Sequence, residues 1–119
     1  MNIPQDKINS FAINYNLVNR SLAEKYVSDI EVKSKDLNKD ELIILISEYK
    51  LNLSNNFEKN ISIVSEELKI DFNVMVENPL IKGNQILLKD AVIVIIVAPI
   101  TKSIIKAYEE KTKAILDSL

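Results

Sequence analysis

Ile8, Phe11, Tyr15, Val18 and Leu22 recur at spacings of three and four after Pro4, so they share one helical stripe. Pro4 suits a first turn, where its missing N–H has no intrahelical partner to lose. The spacing predicts an N-terminal helix through Leu22. The pattern then shifts: in KYVSDIEVKS, Ile30 and Val32 alternate with Asp29, Glu31 and Lys33, the period-two mark of a half-buried strand. Tyr26 and Ile30 also continue the earlier stripe, so an unbroken helix to about Lys33 competes.

The middle of the chain carries both periods. ELIILISEYKLNLSNN opens on apolar residues, and Tyr49, Leu51 and Leu53 then alternate with Lys50, Asn52 and Ser54, as a strand with one wet face does. Asn55 and Asn56 read as a turn. NISIVS sets Ile61 and Ile63 against Ser62. LKIDFNVMVEN alternates Leu68, Ile70, Phe72, Val74 and Val76 with Lys69, Asp71, Asn73 and Met75, the strongest strand pattern present. The same stretch also writes as one helical face through Leu42, Ile46, Tyr49, Leu53, Phe57, Ile61, Val64 and Leu68, which leaves an all-helical hairpin as the alternative.

ENPLIKGN holds Pro79 and the single glycine, Gly83, and reads as a connection. Beyond it, Val97, Ile100, Ile104, Tyr108 and Ile115 fall on one helical face, with Lys102, Lys106, Glu109, Glu110 and Lys113 toward solvent. The apolar run from Ala91 to Ala98 is far shorter than the roughly 20 residues that span a bilayer, so no membrane span is expected.

The 119 residues, 47% hydrophobic, suit one domain with one core. Fifteen basic and 17 acidic side chains are spread along the chain, and their net charge of -2 shows none of the clustered Lys and Arg that hold nucleic acid. No apolar segment follows Asp6 and Lys7, so a signal peptide is not expected and the mature protein is expected to start at or near Met1. A cytoplasmic location fits this composition.

With no cysteine and no histidine, the chain lacks disulfides, thiolate nucleophiles, most zinc ligands and the commonest general base. Glu66–Glu67 and Glu109–Glu110 are neighbours in sequence, whose side chains point apart. The serines and threonines have no imidazole to activate them and no glycine-rich loop to hold a phosphate. The expectation is a non-enzyme without cofactor or metal, acting through apolar surface.

The order strand, three further strands, glycine-containing connection and long helix resembles the SecB-type export chaperones and their toxin–antitoxin-associated relatives. YVSDIEVKS looks like that family's first strand, EYKLNLSNNFEKNISIVSEELKIDFNVMVEN like its three antiparallel strands, and ILLKDAVIVIIVAPITKSIIKAYEE like the run into its main helix. The similarity covers about residues 24 to 110. It implies an α+β fold: a four-stranded antiparallel sheet with an added N-terminal helix (1–23) and a long C-terminal helix packed on the sheet, as one SecB-like domain over 1–119. In that frame Asp90 would cap the main helix and Pro99 would kink it by removing the bond to Ile95.

The resemblance also implies a chaperone that binds unfolded polypeptide clients, for export or for control of a toxin–antitoxin pair, and that assembles as a homo-oligomer, dimer or tetramer. The client-binding candidates are Leu51, Leu53, Met75 and Leu80, near the strand ends and the connection. Asp29 matches an acid with which classical members contact a translocation motor, while Lys33 stands where the second acid would be. An antitoxin is the other implied partner. The family's proline-rich stretch and second C-terminal helix have no counterpart here. The reading from another class is a helical-bundle interaction protein, an effector, phage or structural component, that pairs with one folded partner. A helix content above about two-thirds, double the ordinary share, separates the two.

Overall fold

A computed structural model of the chain describes residues 3–119; Met1, where the sequence reading starts the mature protein, lies outside them. Helix α1 runs Gln5–Lys33 and helix α2 runs Lys39–Glu67, 29 residues each, or about 43 Å at 1.5 Å per residue. Five residues join them into an antiparallel hairpin. Asn38 starts α2 with a capping box: its side chain accepts from the Glu41 N–H at 2.8 Å, and the Glu41 carboxylate accepts from the Asn38 N–H at 3.1 Å. At the other end of α2, Lys69 takes the left-handed conformation, φ 55°. The Ile70 N–H then reaches the Ser65 carbonyl at 2.9 Å and the Lys69 N–H the Glu66 carbonyl at 3.1 Å, satisfying the last turn.

Strands β1 (Met75–Glu77) and β2 (Gln85–Leu87) pair antiparallel, with Val76 opposite Ile86. The Leu88 N–H donates to the Val74 carbonyl at 2.8 Å and the Lys89 N–H to that of Phe72 at 3.1 Å, so the hairpin fixes where the last helix begins. That helix, α3, runs Leu88–Asp117 without a break.

Inside α3, Ile93–Val97 form a π turn, closed by the Ala98 N–H on the Ile93 carbonyl. The turn lies directly before Pro99, whose ring would crowd the Ile95 carbonyl in a regular helix and which offers it no N–H. It also shifts the phase of the helix. Leu88, Ala91 and Val92 are buried before it, and Ile104, Tyr108 and Thr112 after it, with Val97 buried at its last position. At 100° per residue these two sets would face different sides of a regular helix, and the one extra residue in the turn rotates one set by about 100° relative to the other.

Four expected features are corrected. The sheet has two strands, not four, and 75% of the described residues are helical, so the α+β fold with a helix packed on a four-stranded sheet is overturned. Ile30 and Val32 lie within α1, and the alternations at Tyr49–Leu53 and Ile61–Ile63 lie within α2. There the 3.6-residue stripe prevails because it buries Leu42, Leu53, Phe57, Ile61 and Val64 together, whereas the period-two reading would group the buried Leu53 with the exposed Leu51. The helix at 1–23 is no extension but the first part of a 29-residue helix. Asp90 sits in the first turn of α3 without capping it; Leu87 occupies the cap position.

Two apolar clusters fill the bundle. One gathers Phe11, Tyr15, Ile61, Val64, Phe72, Val76 and Leu88 at the hairpin end, and the other Val27, Ile30, Leu42, Leu53, Ile104 and Tyr108 at the far end. Phe11 stacks on Tyr15 at 5.4 Å and meets Phe72 edge-on at 5.5 Å. The result is a rod of 55 × 27 × 18 Å.

Candidate interaction surface

The tip of the β-hairpin is a built turn that holds apolar side chains in water. Asn78 donates its N–H to the Asn84 carbonyl at 2.7 Å, and its side-chain oxygen accepts from the N–H groups of Leu80 at 2.8 Å and Ile81 at 3.2 Å. Gly83 closes the turn at φ 88°, a conformation that other residues adopt at a cost. Leu80 is left 70% exposed and Ile81 54%. Such exposure on a hydrogen-bonded turn marks a contact surface more readily than exposure on a loose loop, because little order remains to be lost on binding.

Beside the tip, α1 and the first turns of α3 leave an apolar groove of about 270 Å³, lined by Ile3, Ile8, Ala12, Ala91, Ile95 and Ile96 among others. The tip overhangs a cleft that shares Ile3 and Gln5 with this groove, so knob and groove are contiguous. Val94 and Ile95, carried outward on the π turn, extend the apolar surface. By length and composition α3 matches a membrane-crossing helix, a test that core helices of soluble proteins also pass, and only 28% of its most apolar window is buried.

The expected site residues are not brought together. Met75 and Leu80 share the hairpin and are exposed, Leu51 is exposed on α2, and Leu53 is fully buried in the far cluster. Leu51 stands 16 residues before the end of α2, about 24 Å of helix from the hairpin end. No groove joins the four. The surface made by α1 and the π turn was missed because it depends on which helices become neighbours, although the unusual length of the AVIVIIVA run was its one visible signal.

Asp29 lies on α1, where the Tyr49 hydroxyl donates to its carboxylate and the Lys33 ammonium sits at 3.0 Å. These contacts, Tyr49 first, hold the Asp29 carboxyl below its ordinary pKa. Tyr49 stacks on Tyr26 with ring centres 4.4 Å apart. The group therefore staples α1 to α2. Two further tyrosines act likewise inside the bundle: the Tyr15 hydroxyl donates to the Phe57 carbonyl at 2.9 Å and the Tyr108 hydroxyl to the Ile46 carbonyl at 2.6 Å. Burial pushes both phenols up from their ordinary value. Among the described residues no cluster of three carboxylates or other ligating groups is arranged to hold a metal ion.

No family model matches the chain, and neither does any curated protein or solved structure. Nothing in these comparisons identifies a SecB-type family, and YVSDIEVK and EYKLNLSNNFEKNISIVSEE, quoted as its strands, lie in α1 and α2.

Proposed function

We propose that this protein is a non-enzymatic helical bundle that acts by pairing with a folded partner through its hairpin end. The observation that carries the reading is surplus surface. The chain exposes 7589 Å², where a compact monomer of 13.5 kDa exposes about 6,500 Å². Its radius of gyration is 17.5 Å, against about 13.5 Å for a compact domain of this length. Part of the uncovered apolar surface, at Leu80, Ile81, Val94 and Ile95, belongs to the hairpin tip and the π turn, beside a cleft and a groove that share Ile3 and Gln5. A rigid, preformed patch of this kind suits a partner with a complementary folded face.

The chaperone expectation required exposed apolar strands. Only two strands of three residues are present here, too short a sheet for that role, which favours the folded-partner reading. A photo-crosslinking amino acid at Ile81, compared with one at the exposed Lys113, tests it in the producing cell. One discrete adduct, specific to position 81, is expected. A ladder of many adducts, as a carrier of unfolded segments gives, or no adduct at all, overturns the reading.

A further inference from the structure

We draw no further inference here: the strongest candidate, the apolar groove between α1 and the first turns of α3 beside the hairpin tip, belongs to the surface already described, and nothing in the structure shows what covers it.

Discussion

Asn60 donates its side-chain amide to the side-chain oxygen of Asn19 at 2.7 Å, linking α2 to α1 inside the bundle. Asn19 passes the chain on, donating to the Tyr15 carbonyl at 2.8 Å. Two amides that satisfy each other among apolar side chains fix how the helices slide, since any shift strands both. Asn19→Leu should cost about 1–3 kcal/mol by leaving the Asn60 amide unpaired, and Asn19→Leu with Asn60→Leu should cost less than the two single changes added. Urea unfolding of the three variants measures this.

Tyr15 and Tyr108 give the protein an alkaline limit. Burial, with Glu58 adding to it for Tyr15 and Tyr26 and Tyr49 for Tyr108, raises both phenols above the 10.0 of an exposed tyrosine. The folded state therefore holds these protons more tightly than the unfolded state does. That stability is complete below pH 10 and is lost as the pH rises above it. Tyrosinate absorbance should show the two residues ionising together with loss of the helical spectrum, and Tyr108→Phe should lose only about 0.5–1.5 kcal/mol at neutral pH.

Lys69 closes α2 with a left-handed backbone that a side chain makes unfavourable by roughly 1–2 kcal/mol. Lys69→Gly should raise stability by about 0.5–1 kcal/mol after the added freedom of the unfolded glycine is subtracted. A lower denaturation midpoint would contradict this account of the helix end.

The π turn predicts a contrast between two changes at one residue. Val94 is 48% exposed, so Val94→Ala should alter stability by less than about 0.5 kcal/mol, as most surface changes do. Deleting Val94 removes the extra residue, and the turn closes into regular helix with Leu88, Ala91 and Val92 keeping their orientation relative to Ile104 and Tyr108. Pro99 then faces the Ile95 carbonyl in a regular turn, at a cost of about 3 kcal/mol. Thermal melting separates the outcomes.

The first helix as far as Leu22 and the last were legible because their apolar stripes run with little competition: Phe11 and Tyr15 on one, Ile104 and Tyr108 on the other, are all buried. Beyond Leu22 the alternation of Ile30 and Val32 with charged neighbours hid the rest of the first helix. The second helix was obscured by chance alternation over five residues at Tyr49–Leu53, a window too short to tell a period of 2 from one of 3.6. Its end was hidden as well, since Lys69 stands where a glycine would have announced a stop.

Residues 68–76 are instructive in the opposite sense. Leu68, Ile70, Phe72, Val74 and Val76 do turn inward and their neighbours outward, as the alternation predicts, yet only Met75–Glu77 is paired as strand. The pattern reported which side chains are buried and not what the backbone hydrogen-bonds to. Of the proposed surface, Leu80 and Met75 were visible beside Pro79 and Gly83, while the groove between α1 and α3 joins residues more than 75 positions apart and has no local signature.

The two apolar clusters meet at Ile100, which packs against both. With so narrow a joint, the rod is expected to behave as two cooperative units rather than one. Amide hydrogens around Leu42 and Ile104 would then exchange on their own schedule, set by opening of the far end. Those around Phe11 and Val64 would answer to the hairpin end and would slow further whenever that end is occupied. Occupancy would thus be recorded as a gradient of exchange along the rod, steep at the contact and fading beyond Ile100.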